Sequence, residues 1–292
     1  MGQLWVYVSL LSAIGDALRD FSAKRSLTEV DSILFAWLIF AIPLPIIYLA
    51  DFICGVPKPA PGFYSAIFIA LPLEILAQIL YMRALRLSPL GLVAPLLSLT
   101  PVFMLVIPYL LIGEKIGLTG GAGVLMIAAG AWVLNAGTAR KSILEPFRVL
   151  LRDQGAVCMC AVALLFSFTA TLSKKAIALS SPAHYMAVYW TFLIIGMSPI
   201  VLLTHRGRLR EVISGGAVGK ALLPALIFVT AVFAAAYAMS LTKVTYVNTV
   251  KRLSALFSIL LAGAFLKEES IRERFSGAAL MASGFALIVL FG

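Results

Sequence analysis

The sequence predicts an all-α membrane protein of ten transmembrane helices, arranged as two inverted five-helix repeats. Three observations predict it. The 292 residues are 62% hydrophobic and only 12% charged, about half the charge of a soluble domain. Apolar runs of near 20 residues, the length that spans a bilayer, recur along the whole chain. The two halves also repeat one another.

The runs fall near 3–22, 30–50, 62–82, 90–112, 117–136, 155–173, 183–204, 219–241, 245–266 and 274–291. Short connectors with Pro, Gly or charge separate them, such as Pro57-Lys58-Pro59, Ser88-Pro89, Gly113-Glu114-Lys115, Ser181-Pro182 and Lys267-Glu268-Glu269. The first run leads into Asp16, Arg19 and Asp20 without a small-residue cleavage site, so no removable signal peptide is expected. A longer connector at 139–154 divides the chain into repeats 1–138 and 155–292. Its Phe147, Leu150 and Leu151 share a face apart from Arg148 and Arg152. It reads either as an interfacial helix or as a basic loop.

The repeat is carried by matches in register. Phe103–Glu114 (FMLVIPYLLIGE) parallels Phe257–Glu268 (FSILLAGAFLKE), and Gly123 and Gly130 parallel Gly277 and Gly284. Tyr81 and Leu85 parallel Tyr237 and Leu241 after a two-residue slip, Trp37 parallels Trp190, and Lys24-Arg25 parallels Lys174-Lys175. Five helices per repeat force the repeats to enter the membrane in opposite senses. Inverted repeats place a solute site at their interface and permit alternating access. The architecture therefore favours a transporter over an enzyme.

Charge and rare residues narrow the classes. The net charge of +10 comes from residues in short connectors, where anionic lipid headgroups account for it, so no nucleic-acid partner is expected. Cys54, Cys158 and Cys160 form no disulfide framework and read as small core residues. His184 and His205 are isolated in the sequence, and no metal or other cofactor is expected. Catalytic constellations and nucleotide-binding loops are absent from the sequence, which disfavours an enzyme and a primary pump.

Charges inside membrane helices cost at least about 2.5–3.5 kcal/mol at the centre, so each needs a cavity or a partner. Lys251 and Arg252 lie about six residues inside the ninth run, and Asn248, Lys251, Arg252 and Ser258 share a face by i, i+3, i+4 spacing. The pair either recognises an anion, through a planar fork and a movable point charge, or snorkels toward headgroups. On the third run Glu74, Gln78 and Tyr81 share a face, with Arg83 and Arg86 beyond. Glu74 reads as a proton-coupling carboxylate or as an ion-pair partner of Lys251, Arg252 or Lys24. On the first run Ser9, Ser12 and Asp16 lead toward Lys24, and Asp16 reads as a gate or a salt-bridge partner. The sixth run offers Ser167, Thr171 and Lys174 as their counterparts. Tyr81 and Tyr237 are expected to line the site. Gly117 with Gly121, and the two repeat-related glycine pairs, predict close helix packing. Pro43, Pro45, Pro95, Pro101 and Pro108 predict kinks.

The two halves, the basic pair ending the first helix of each, and the Gly113-Glu114 and Lys267-Glu268 that close the fourth resemble the EamA family of the drug/metabolite transporter superfamily. The resemblance spans essentially the whole chain. It implies ten helices around a central cavity and a role in exporting amino acids or other metabolites. Asn248, Lys251-Arg252 and Phe257-Ser258 are also similar to the ninth helix of plastid sugar-phosphate translocators. In those carriers the Lys-Arg pair binds phosphate with a lysine of the fourth helix. This chain departs there, with Pro95 at the repeat-equivalent of Lys251. The resemblance implies a cytoplasmic N-terminus, whereas sixteen of the 23 Lys and Arg would then face outside, against the positive-inside rule.

The expected function is secondary transport of a small anionic or zwitterionic metabolite (an amino acid, carboxylate or phosphate ester) across a cell inner or plasma membrane. Lipids surround the protein, and duplication within one chain removes the need for a dimer. The alternatives are proton-coupled export of cationic drugs, and flipping of a lipid-linked phosphate.

Overall fold

The computed structural model describes residues 3–26, 32–88, 93–136, 153–204, 216–258, 260 and 275–292. Most of the expected connector helix at 139–154 lies outside them, as do Glu268, His205 and the end of the ninth run. The described residues are helical and contain no strand. The helices are α1 (Leu4–Ser26), α2 (Ser32–Ala41), α3 (Leu44–Ile53) and α4 (Phe63–Leu87), then a 3₁₀ segment (Ala94–Leu99) with α5 (Thr100–Phe103) and α6 (Ile107–Ile112). They continue with α7 (Leu118–Ala136), α8 (Gln154–Ala178), α9 (Pro182–Thr204), α10 (Val218–Leu241), α11 (Val244–Lys251) and α12 (Phe275–Phe291).

Six segments among the described residues are long and apolar enough to cross a membrane: Ile33–Ile53, Phe63–Tyr81, Pro95–Ile112, Gln154–Ala178, Pro182–Thr204 and Val218–Leu241. The apolar stretches Leu118–Leu134 and Ser276–Phe291 are shorter. The outer surface suits lipid. On α1 the exposed residues Tyr7, Leu11, Ile14 and Leu18 follow the i, i+4, i+7, i+11 stripe of one helical face. The chain is thus a multi-pass membrane protein.

Prolines break the segments where expected. Pro43 ends the α2–α3 kink and Pro45 opens α3. Pro95, Pro101 and Pro108 each stand in the first turn of a short helical piece, so the fourth run is three pieces rather than one helix. Proline lacks the N–H that a continuing helix would use, which accounts for the restarts. The ninth run also tightens, without proline. Arg252 N–H donates to Thr249 O at 3.0 Å and Leu253 N–H to Val250 O at 2.9 Å, both 3₁₀ bonds. The helix thus turns at Arg252 and resumes at Ser254, interrupting the continuous stripe expected from Asn248 to Ser258. The fourth and ninth runs thus both contain a 3₁₀ turn.

The broadest helix pairings are α7 with α12, α4 with α8, and α1 with α10. The α7–α12 crossing is glycine-made. A Cβ on Gly123 would lie 2.8 Å from Gly284 O, and one on Gly130 would lie 2.7 Å from Gly277 O. By contrast, nothing lies within 4 Å of a Cβ at Gly117, and Gly121 would meet only Ile116, so that pair does not mediate close packing. At the α1–α10 crossing a Cβ on Gly15 would lie 2.7 Å from Ala231 Cβ. At the start of α8, Asp153 caps the helix by accepting Ala156 N–H at 2.7 Å and the Ser88 hydroxyl. These two bonds hold the Asp153 carboxyl below its usual range, the Ser88 contact contributing most. Cys54 is exposed and Cys158 and Cys160 are half-buried, so the cysteines are not core residues. Cys54 ends a short loop-facing turn, where nothing covers it.

Candidate functional site

Asp16 brings the ionisable residues of α1 and α11 together. Its Oδ2 lies 3.3 Å from Lys251 Nζ and its Oδ1 lies 3.6 Å from an Arg19 nitrogen. Arg19 in turn pairs with Asp20 at 2.7 Å and places its guanidinium 5.0 Å from the centre of the Phe228 ring on α10. Lys251 stands in the last turn of α11, where the helix dipole favours a cation. Glu74 is not the partner of these cations.

Arg252 is the exception in this cluster. No carboxylate among the described residues lies within ion-pair distance of it, although Asp16 and Tyr81 act on it electrostatically. It is deeply enclosed by protein atoms yet keeps part of its surface accessible. Arg19, Lys251 and Arg252 face Asp16 and Asp20, which leaves one positive charge in excess.

Tyr81 links this cluster to a second one. Glu74, Gln78 and Tyr81 occupy one face of α4 at i, i+4, i+7, so Glu74 and Tyr81 are separated by about 10 Å along the helix. Gln78 Nε2 donates to Glu74 Oε1 at 3.1 Å, and the Thr169 hydroxyl of α8, which donates to Phe166 O at 3.4 Å, stands near the same carboxyl. Tyr185 and Tyr189 of α9 act on Glu74 electrostatically, and their rings stack at 5.2 Å. Tyr185 OH donates to Ser173 Oγ at 2.7 Å. Glu74 thus stands two helical turns along α4 from Tyr81, which joins it to the cluster holding Arg252.

The other expected residues are placed differently. Asn248 Nδ2 donates to Val244 O at 3.1 Å on its own helix, and Ser258 is half-buried beyond the Arg252 turn. Tyr237 is 46% exposed on the outward stripe of α10 with Leu223, Leu226 and Thr230, away from the cluster that Tyr81 joins. The side chain of Lys24 lies outside the described residues. Ser9 and Ser12 are buried with no hydrogen-bond partner, on the stripe that leads to Asp16. Ser167 and Thr171 bond back to Leu164 O and Ser167 O of their own helix. Lys174 leaves the site and holds the end of α10 through Met239 O and, at 2.8 Å, Thr242 O.

Thr169, Ser173, Tyr185 and Tyr189 were not expected from sequence. Their i, i+4 spacings were the available signal. His184, isolated in sequence, is paired in the fold with Asp51, its Nδ1 lying 2.8 Å from Asp51 Oδ2. A crevice of about 600 Å³ beside Tyr109, Lys115 and Leu118 opens between α6 and α7, apart from both clusters and mostly apolar.

Comparison with known proteins agrees with this architecture. A profile described as the EamA-like transporter family matches residues 3–136 and again residues 153–290. A Sinorhizobium sp. protein described as an uncharacterized transporter in the cobO 3′ region is 34% identical over 141 residues, which are 46% of this chain and 98% of that protein. A protein of known crystal structure shares the fold with a TM-score of 0.77 at 17% identity, over 99% of this chain and 98% of its own.

Proposed function

This chain belongs to the EamA-like transporter family, and on that premise we propose that it carries a small anionic or zwitterionic metabolite across a cell inner or plasma membrane by alternating access. The proposed frame is ten transmembrane helices in two inverted repeats, 1–138 and 155–292. Three features support it. The profile matches the chain twice, and the Sinorhizobium relative corresponds to less than half of it. The first long helix of each half packs on the third of the other, α1 on α10 and α8 on α4. The fourth and ninth runs both contain a 3₁₀ turn.

One observation carries the substrate class: Arg252 is half-buried and has no carboxylate partner among the described residues, while its neighbour Lys251 is already neutralised by Asp16. A buried unpaired charge is costly, and an incoming carboxylate or phosphate would offset that cost. Arg252 supplies the fork, Tyr81 an adjacent hydroxyl and Gln78 an amide. Glu74, two turns away, faces the ammonium of a zwitterion or exchanges a proton with the solution on the far side. A surrounding bilayer completes the assembly, and one chain is sufficient to form the cavity.

A second reading, export of cationic amphiphiles, is favoured by Glu74 among Tyr185 and Tyr189, since a carboxylate with aromatic walls binds cations. The two readings separate in a ligand screen by thermal denaturation of the purified protein. Amino acids, dicarboxylates, phosphate esters and tetraphenylphosphonium serve as probes. A ligand that binds the native state raises the melting temperature with concentration. Stabilisation by anions or zwitterions supports the first reading, and stabilisation by tetraphenylphosphonium alone replaces it with the second.

A further inference from the structure

Three polar contacts join the kinked α2–α3 segment to α9. Trp37 Nε1 donates to Ser198 Oγ at 3.1 Å, Tyr48 OH meets Thr191 Oγ1 at 2.7 Å, and Asp51 Oδ2 meets His184 Nδ1 at 2.8 Å. Their α9 members, residues 184, 191 and 198, are seven apart. Seven residues are close to two helical turns, so all three face α2–α3 along one seam. Two rungs are neutral. The third is ionisable.

The Asp51–His184 rung is enclosed and incompletely satisfied. Asp51 is 4% exposed, and neither its Oδ1 nor His184 Nε2 has a hydrogen-bond partner among the described residues. Each charge also stands at the wrong pole of its own helix. Asp51 is in the last turn of α3, where the dipole disfavours an anion, and His184 is in the first turn of α9, where it disfavours a cation. Neither gains from its own helix, so each depends on the other. With a neutral imidazole the carboxylate keeps a buried charge and a single hydrogen bond. One added proton turns the contact into an ion pair, which is stronger where water is excluded.

The surroundings leave this proton little competition. The Phe63 ring of α4 lies 5.6 Å from the His184 ring, and Ser181 Oγ accepts the His184 backbone N–H at 3.1 Å. Tyr48 is one turn from Asp51 on α3. Lys58 in the following connector and Lys175 near the end of α8 are exposed and form no ion pair with Asp51 among the described residues.

We propose that Asp51 and His184 form a proton-binding site, separate from the solute cavity, whose occupancy holds α3 against α9. This rests on the two-half reading above, because α3 belongs to the first half and α9 to the second. By its proton occupancy the site acts as a latch. Acid tightens the seam and slows separation of the halves at this end, and alkali releases it. The proton sets how readily the halves part, and it need not be the proton that drives transport.

The test needs no substrate. Spin labels are placed on exposed Cys54 and on Ala178→Cys, with Cys158→Ala and Cys160→Ala removing the other thiols, and distances are measured in lipid nanodiscs at pH 5.5 and pH 8. The expected result is a short distance at pH 5.5 and a longer population that grows several-fold at pH 8. His184→Gln and Asp51→Asn should give the same distribution at both values. Tyr48→Phe removes a neutral rung, so it should shift both distributions and keep their pH difference, which also controls for a merely structural tie. Glu74→Gln should keep the full response. A distribution indifferent to pH in the parent, a response that survives in His184→Gln, or one abolished by Glu74→Gln would each overturn the latch. None of these outcomes bears on anion binding at Arg252.

Discussion

Two of the helix crossings in this molecule are built on opposite principles. Where α7 meets α12, paired glycines bring backbone against backbone, and a Cβ at Gly130 has no room beside Gly277 O. Where α1 meets α11, the contact is a carboxylate reaching a lysine, with an unpaired arginine beside it. Dispersion and close approach hold the first, which is the usual bond between helices in lipid. The second is polar, partly open and costly to leave uncompensated. The contrast suggests a static strut on one side and a solute-responsive joint on the other.

The largest expected effect breaks the polar crossing. Asp16→Ala leaves Lys251 and Arg252 together without a counterion and should destabilise the protein by about 3–5 kcal/mol, read as a fall in melting temperature. Asp16→Ala with Lys251→Met should recover most of that loss. A silent single substitution would mean that Asp16 does not neutralise the cluster.

Next comes the glycine crossing. Gly130→Ala should cost about 1–3 kcal/mol through overpacking. Gly117→Ala, with open space at its Cβ, should stay within about 0.5 kcal/mol. Equal effects at the two positions would remove the claim that α7 and α12 form a close-packed strut.

Glu74→Gln sharpens the comparison functionally. It should change stability little, since Gln78 and Thr169 can bond an amide, yet it should abolish proton-driven accumulation of the solute in vesicles while leaving exchange in place. Undiminished accumulation would reduce Glu74 to an ammonium or structural contact.

The smallest effect lies at the membrane edge. Asp153 has a lowered pKa in the folded state, so its contribution is present above the ordinary carboxylate value near about 3.9. It is lost as pH falls through the folded value, because the unfolded state then binds the proton more readily. Asp153→Asn should flatten that acid limb of stability. An unchanged limb would place the acid sensitivity elsewhere.

Much of this was legible from residue type. Lys251, Arg252, Asp16 and Glu74 stand out because a charge within an apolar run has few tolerable environments. The repeat-related glycine pairs and the prolines were equally plain, since their effect on the backbone is local, whereas Gly117 and Gly121 meet no neighbouring helix among the described residues. The pairings were not legible. Sequence offered Glu74 as partner to the α11 cations, and the fold supplies Asp16 instead, because α1 rather than α4 carries the nearest acid. Hydroxyls were harder still. Ser167 and Thr171 were chosen from α8 but satisfy themselves on their own carbonyls; Thr169 and Ser173, on another face, also donate to their own helix, and Ser173 in addition accepts the Tyr185 hydroxyl. Tyr237 fails for a related reason: tyrosine is equally at home facing lipid or a cavity, and the repeat match with Tyr81 did not fix its direction. The Asp51–His184 contact joins residues 133 positions apart, and nothing local announces it.

The central claim is that Arg252 receives the anionic group of the solute. The most direct test is the dissociation constant of the best anion from the thermal screen, measured on the wild type, Arg252→Lys and Arg252→Ala. Loss of a charge-assisted hydrogen bond is worth about 1.5–3 kcal/mol, so Arg252→Ala should weaken binding by roughly ten- to a hundredfold. Arg252→Lys should fall between, because lysine keeps the charge and loses the fork. Unchanged affinity in a folded Arg252→Ala protein would contradict the account and remove the anion site from α11.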